Sequence, residues 1–275
     1  MIIELDKEEF HKVRHLLEGR RINLEIKAVV EGYNPGWVFV DNTERPNTAM
    51  VWSRGIEGCY FIGDVNNSFF NKYINLFIDE KIAPRAKKMG LDVFEFSGTS
   101  AEWDENLELV FNKRNIHKSK QFVYINKSPD NIDYDNYIQN LDKGYIVRKV
   151  DLDLLRNRSL DLEYVISAIY EWWDSIEDFL NNSIGYCIIH NDTTVCSCLT
   201  SFMTKDMMES HIKTREEYRK RGLATRAVAE FLKYCGDNDY TAYWDCMEAN
   251  YGSRALAEKF GYSKEYDYKL YWFKF

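Results

Sequence analysis

The sequence has no long apolar run and no net positive charge, and these absences exclude several classes of protein. No stretch approaches the roughly 18 consecutive apolar residues of a membrane-spanning helix, so no membrane association is expected. The first residues, MIIELDKEEFHKV, show no cationic flank followed by an apolar segment, which argues against a secretory signal and favours a cytoplasmic protein. The formal net charge of −8 gives no global basic field, so nucleic acid is not an expected partner.

The cysteines show no C-x-x-C pair, and no metal site is predicted from them. They lie singly within apolar or strand-like runs, at Cys59, Cys187, Cys196, Cys198, Cys235 and Cys246. Small buried thiols in a reducing compartment explain this distribution better than disulfides or a zinc site.

Low-complexity tracts are also absent. The domain organisation of the 275 residues is indicated instead by a similarity between the two halves of the sequence. The segments GWVFVDNTERPNTAMVW and GYCIIHNDTTVCSCLTS begin at residues 36 and 185, an offset of 149, and each has the strand–turn–strand pattern of a β-hairpin. At the same offset, CYFIGDV (59–65) and MESHIKT (208–214) each predict a third strand.

The two halves continue alike, with a helix, a strand, a short helix and an aromatic strand. The first helical patterns lie at 70–78 and 224–235, the strands at 91–98 and 240–246, and the aromatic strands at 120–126 and 266–275. The sequence therefore predicts a mixed α/β fold of two similar domains in tandem, each a central mixed sheet flanked by helices. The predicted domains are 1–130 and 144–275, joined by the polar, turn-rich segment 126–144.

A cluster of positive charge directly precedes a predicted helix in the second half. In EEYRKRGLATRAVAEFLKYCG (216–236), three cationic residues stand immediately before Gly222, and the helical pattern begins near Leu223. The first N–H groups of a helix are unpaired and carry partial positive charge, so cations there are unfavourable unless an anion binds. A phosphate or pyrophosphate would satisfy both, and glycine would let the backbone approach it. A solvated basic turn is the alternative, and neither common nucleotide-binding glycine motif is present.

The spacing R-x-x-G-x-A over 219–224 resembles the acyl-CoA pyrophosphate loop of the GNAT superfamily, the Gcn5-related N-acetyltransferases. The segment WDCMEANYGSRALAEKFGY (244–262) resembles the second conserved block of that superfamily. The phrases GLAT, WDC and N-x-x-S-x-x-LAEK-x-GY look most like the subgroup related to zwittermicin-A resistance proteins. The resemblance is strong over about 144–275 and weaker over 30–126, which suggests that the N-terminal domain is a degenerate copy.

The resemblance implies that acetyl-CoA is the co-substrate. Its pyrophosphate would lie on the backbone N–H groups from Arg221 to Ala224, and its pantetheine arm would lie along the strand 208–214, with a backbone N–H near Ile212 facing the thioester oxygen. The implied acetyl-CoA-binding residues are Ile212, Thr214, Arg219, Lys220, Arg221, Gly222, Leu223, Ala224, Thr225, Asn250 and Ser253. Asn250 and Gly261 are also good helix caps, so the second block could be structural.

Three residues are candidates for the general base. Glu209 matches an acidic position common in the subgroup, His211 has a favourable titration range, and Asp245 ends the YWDC strand. The tyrosine that many superfamily members use as the acid is replaced by Ala257. Tyr251, Cys246 or water could protonate the thiolate instead, or the thiolate could leave unassisted.

The segment EYVISAIYEWWDSIEDFL (163–180) is the candidate for the acceptor side of the site. It is an amphipathic helical stretch that ends in Trp172 and Trp173 and is followed by acidic Asp174, Glu177 and Asp178. These residues would suit a cationic amine, although buried core tryptophans beside a solvated acidic face explain them better. We therefore expect an acetyl-CoA-dependent N-acetyltransferase, a monomer or homodimer, that acts on a primary amine of a small molecule such as an amino-antibiotic. The alternative is a non-catalytic acyl-CoA-binding module whose N-terminal half binds a partner.

Overall fold

The computed structural model describes residues 1–18, 22–129, 132, 134, 137 and 141–275. The chain divides into two compact units: Met1–Phe122 with Asp267–Phe275 form the first, and Val123–Tyr266 the second. This division differs from the predicted domains 1–130 and 144–275, because the end of the final strand pairs within the first unit. The predicted linker 126–144 lies partly outside the described residues.

The first unit has a mixed sheet whose strands follow the order β1-β2-β3-β4-β5-β12. Their bounds are β1 Ile3–Glu4, β2 Gly36–Val40, β3 Thr48–Ser53, β4 Gly58–Gly63, β5 Val93–Gly98 and β12 Ser263–Lys274. Neighbours are antiparallel except β4 and β5, which run parallel. The hairpin predicted over 36–52 is confirmed, with Trp37 opposite Trp52.

Helices cover this sheet and bury its aromatic residues. Their bounds are a 3-10 helix at Lys7–Leu17, α1 Leu24–Val30, α2 Ser68–Phe77, a π-helical turn at Ile78–Ile82, α3 Ala83–Lys88 and α4 Ala101–Val110. The helical face predicted from residue 70 onward is buried at Phe70, Ile74 and Ile78. Phe96 packs edge-on to Phe111 at 4.8 Å between ring centroids, within one continuous aromatic core.

Glu95 on β5 carries a half-buried carboxyl group whose titration should limit the stability of the first unit. Burial, assisted by the charge of Glu57, raises its pKa to about 7. An unfolded chain releases this proton near pH 4.5, so the free energy of unfolding falls between that pH and about 7 and is level above it. We expect Glu95→Gln to stabilise the protein at pH 8 by about 1–3 kcal/mol and to have little effect at pH 4. Urea unfolding at both pH values checks this, and an equal difference at the two would contradict it.

The second unit repeats this plan with the strand order β7-β8-β9-β10-β11-β6. The bounds are β6 His117–Asn126, which enters this unit at Val123, β7 Tyr145–Lys149, β8 Gly185–His190, β9 Thr193–Met203, β10 Met207–Thr214 and β11 Thr241–Met247. The strands β7 to β10 are antiparallel, and β10 and β11 run parallel. The predicted mixed α/β fold of two similar halves is confirmed. The sequence did not show that β12 borders β5 and β6 borders β11, so each sheet takes a strand from the other half of the sequence.

Helices and a 3-10 turn accompany the sheet of the second unit. Their bounds are α5 Leu152–Leu155, α6 Glu163–Trp172, α7 Ile176–Asn182, a 3-10 turn at Glu216–Tyr218, α8 Leu223–Asp237 and α9 Tyr251–Lys259. The helical stretch predicted to end in Trp172 and Trp173 corresponds to α6, whose last residue is Trp172. The next helix, α7, begins after Ser175, whose side chain accepts the backbone N–H of Asp178 at 3.0 Å. Trp172 and Trp173 are both buried, and Trp173 donates its indole N–H to the carbonyl of Thr200 at 2.9 Å. The tryptophans therefore belong to the core.

The six cysteines are all buried free thiols, as the sequence predicted. No group of three or more metal-binding side chains occurs within the described part of the chain. A search of the same residues finds no helix with the length and apolarity to cross a membrane.

Candidate active site

The basic turn before α8 has a backbone conformation that requires glycine. Gly222 has φ 77° and ψ 2°, in the left-handed region, and the helix begins at Leu223, as predicted. A Cβ atom placed on Gly222 would meet no atom within 4 Å. The glycine is therefore needed for its backbone angles, and the space above it is open.

The start of α8 leaves its first N–H groups without a side-chain cap. These groups border an open cleft of about 200 Å³, lined by Thr214, Tyr218, Arg219, Lys220, Gly222, Leu223, Ala224 and Thr225. Seven of these residues were predicted, and Tyr218 is the addition. An uncapped, partly positive helix end beside an open cleft can bind an anion.

The corresponding helix of the first unit is α2, and its start is capped by a side chain, so it is less suited to binding an anion. At the start of α2, the side chain of Asn67 accepts the backbone N–H of Phe70 at 3.0 Å. The first unit thus places a side-chain cap where the second unit places Gly222. Only the second unit combines a left-handed glycine with an uncapped helix at this point of the fold.

The cations of the turn divide into two groups. Arg219 and Lys220 are exposed and line the cleft, and Arg219 donates its Nε to the carbonyl oxygen of Thr214 at 3.3 Å. Neither has an acidic side chain as partner among the described ion pairs. Both charges are available to a bound anion.

Arg221 is instead held by the protein. Its guanidinium donates to the hydroxyl of Tyr145 at 3.0 Å and to the carbonyl oxygen of Glu217 at 2.8 Å, and lies 5.1 Å from the ring centroid of Tyr218. The side chain anchors the turn, so any contribution of Arg221 to the cleft comes from its backbone. Sequence reasoning could not find Tyr145, because it lies 76 positions away.

The strand β10 separates from β11 beside this cleft. The two strands are paired only over Met207–Glu209, whereas β10 stays paired with β9 as far as Thr214. Within the described sheet, the edge of β10 from Ser210 to Thr214 that faces away from β9 has no strand partner. An extended chain with amide groups can bind to such an edge as an added strand, and the predicted contacts Ile212 and Thr214 lie on it.

Glu209 lies at the last position of β10 that pairs with β11, beside an irregularity in β9. The register passes from Met208 opposite Met203 to Ser210 opposite Thr200, so β9 has an extra residue next to Glu209. The backbone N–H of Asp245 donates to Glu209 Oε1 at 3.2 Å. Burial, followed by the charge of Asp245, raises the pKa of Glu209 well above its usual range. The structure thus brings two of the predicted catalytic residues together.

His211 lies two residues further along β10 and packs against aromatic side chains. Its ring centroid is 4.8 Å from that of Trp172, which packs edge-on to Phe202 at 5.3 Å. Burial lowers the pKa of His211 to about 4, against the opposing effect of the Glu171 charge. The imidazole is therefore neutral at pH 7, and its buried Nε2 has no hydrogen-bond partner among the described residues.

The residues of the second predicted block make local contacts at the start of α9. Asn250 caps α9 by accepting the N–H of Ser253 at 3.1 Å, and the Ser253 hydroxyl accepts the indole N–H of Trp244 at 2.9 Å. Tyr251 is 75% exposed, and the guanidinium of Arg254 lies 5.5 Å from its ring centroid. No hydrogen bond of the described chain joins Tyr251 to Glu209. Asn250 and Ser253 do not line the cleft at α8.

The fold of this chain is similar to those of solved Gcn5-related N-acetyltransferases. A GCN5-related N-acetyltransferase-like protein from Streptococcus suis 89/1591 superposes with a TM-score of 0.70 at 19% identity, over 97% of this chain and 99% of that one. A tandem GNAT protein from the clavulanic acid biosynthesis pathway gives a TM-score of 0.60 at 13% identity, over 99% and 97% of the two chains. These similarities establish the fold.

The GNAT acetyltransferase family model matches residues 14–271, so this chain belongs to the GNAT acetyltransferase family. It is 26% identical over 254 residues to the uncharacterized N-acetyltransferase YdfB of Bacillus subtilis strain 168, covering 91% of this chain and 90% of that protein. The predicted superfamily and the N-acetyltransferase class are confirmed.

Proposed function

We propose that the second unit binds acetyl-CoA and transfers its acetyl group to the primary amine of a small molecule. The observation that carries the proposal is the uncapped, glycine-led start of α8 next to the open edge of β10. A pyrophosphate at the helix start would accept hydrogen bonds from the free N–H groups and neutralise Arg219 and Lys220. The phosphate handle would thereby fix the position of the distant thioester.

The open edge of β10 supplies the second half of the binding site. The amide groups of a pantetheine arm can pair with the backbone between Ser210 and Thr214, which has no strand partner on that side in the described sheet. A backbone N–H at Ile212 would then stabilise negative charge on the thioester oxygen during attack. In the reaction a bond forms between the amine nitrogen and the acetyl carbon, the carbon–sulfur bond breaks, and CoA leaves with a proton.

The pKa directions favour Glu209 over His211 as the base. A proton acceptor is most effective when its pKa lies near the working pH. Burial moves the pKa of Glu209 upward toward that range, whereas it moves the pKa of His211 down to about 4. Asp245 acts as a positioning residue, because its N–H fixes the Glu209 carboxylate. The exposure of Tyr251 leaves water as the simplest proton source for the thiolate.

The charge of Asp245 should set the lower limit of the active pH range. Asp245→Asn keeps the backbone N–H that binds Glu209 but removes the negative charge that raises its pKa. The pKa of Glu209 then falls, and we expect the rising limb of the kcat/KM profile to move to lower pH. Steady-state rates between pH 5 and 9 measure this. A limb that stays in place or moves upward would show that Glu209 is not the base.

Thiol release in the presence of acetyl-CoA and a panel of primary amines tests the proposed function. Release with at least one amine is expected. The subgroup resemblance also favours an amino-antibiotic, so such compounds belong in the panel. The alternative, a non-catalytic acyl-CoA-binding module, is favoured by Ala257 at the usual tyrosine position. Tight acetyl-CoA binding without release for any amine would support that alternative.

A further inference from the structure

An ion pair lies beside His211 on the face of β10 that meets helix α6. Lys213 Nζ is 2.5 Å from Glu171 Oε2, and the two side chains are 40% and 35% exposed. Lys213 follows His211 by two positions, so both point to one side of the strand. Glu171 directly precedes Trp172, whose ring packs against His211. The pair thus adjoins Ile212, whose backbone is the proposed thioester contact.

Lys213 is held by fewer partners than the next cationic residue along the chain, Arg215. Arg215, two residues beyond Lys213, lies over the ring of Tyr164 at 5.0 Å and donates to the carbonyl oxygen of Thr194 at 2.8 Å. It also pairs with Asp161 at 3.5 Å. Arg215 therefore has several structural contacts. Within the described chain, Glu171 is the hydrogen-bond partner of Lys213.

A half-exposed ion pair contributes little to stability, so it can open when a ligand offers both groups new partners. An acceptor with ammonium groups alone would take Glu171 from Lys213 and leave the lysine charge uncompensated. An acceptor that carries an ammonium and a carboxylate would give each side chain a partner of opposite sign. Such charge-assisted hydrogen bonds are the strong ones in a binding site.

We propose, on the basis of the function proposed above, that the acceptor is a zwitterion, an amine that also carries a carboxylate, as in an amino acid. Lys213 binds the carboxylate, and Glu171 holds the ammonium next to the thioester. The ammonium loses one proton before the attack, which gives its nitrogen a lone pair, and it loses a second as the nitrogen bonds to the acetyl carbon. One passes to Glu209 and then to solvent, and the other ends on the sulfur of CoA as the carbon–sulfur bond breaks.

Matched acceptors test this inference on the full chain. Phenylalanine and lysine are compared with phenethylamine and cadaverine, which lack only the carboxylate. We expect the amino acids to have kcat/KM values about tenfold or more above those of the amines. Lys213→Met should remove this advantage, mainly by raising KM for the amino acids, and should improve the amines, because it frees Glu171 for their ammonium group. Lys205→Met, at an exposed lysine in the turn before β10, is the control and should change neither group.

Binding measurements separate the failure of this inference from that of the proposed function. Calorimetric titration of the acceptors into the CoA-loaded protein should show tighter binding of the amino acids, lost in Lys213→Met. Amines that match or exceed the amino acids, or an equal loss for both groups in Lys213→Met, would overturn the zwitterion inference while acetyl transfer stands. Amino acid binding that depends on Lys213 without any thiol release would support the inference and overturn the enzyme.

Discussion

Replacing Gly222 by glutamate is expected to weaken acetyl-CoA binding by about a hundredfold or more. The new carboxylate would stand at the start of α8, where the phosphates of the ligand are proposed to lie, and like charges at close range repel strongly. The positive φ of 77° adds strain for any residue other than glycine. Isothermal titration calorimetry of the full chain measures the change in Kd.

A matched control separates the local charge from the strain. Gly90, in the first unit, has φ 85° and likewise no atom within 4 Å of an added Cβ. Gly90→Glu therefore introduces the same strain and charge away from the cleft, and it should bind acetyl-CoA like the parent protein. Gly222→Ala should give an intermediate Kd. Normal binding by Gly222→Glu would mean that the turn does not hold the ligand.

Glu209→Gln is expected to lower kcat by about 10²–10⁴-fold and to leave the Kd for acetyl-CoA within about twofold. Glutamine keeps an oxygen for the N–H of Asp245 but cannot take a proton. The comparison variant is His211→Gln, which should lose less than about tenfold, because an imidazole with a pKa of about 4 is a weak proton acceptor. A larger loss in the histidine variant would reverse the assignment of the base. Thermal unfolding of both variants confirms that they are folded.

The parts of the site that the sequence predicted are those set by neighbouring residues. The turn before α8 depends on one glycine and a helix that begins one residue later, so its pattern is visible within a few positions. The two hairpins are likewise local. Ser175 and Asp178 form a local capping pattern of the kind that marks the start of a helix, here α7.

The remaining features depend on contacts between distant positions. Tyr145 anchors Arg221 across 76 residues, and no local pattern marks that pair. The pairing of β12 with β5 spans a larger separation still, with Tyr271 opposite Phe96. The contrast between Glu209 and His211 also needed the structure, because burial raises the pKa of a carboxyl group and lowers that of an imidazole only where the fold removes water.

The number of acetyl-CoA molecules bound per chain tests the central claim most directly. The start of α8 is uncapped and glycine-led, whereas Asn67 caps the corresponding helix of the first unit. Calorimetric titration of the full chain should therefore give one site per chain, lost in Gly222→Glu and kept in Gly90→Glu. Two sites per chain, or one that survives Gly222→Glu, would contradict the assignment of the cofactor to the second unit.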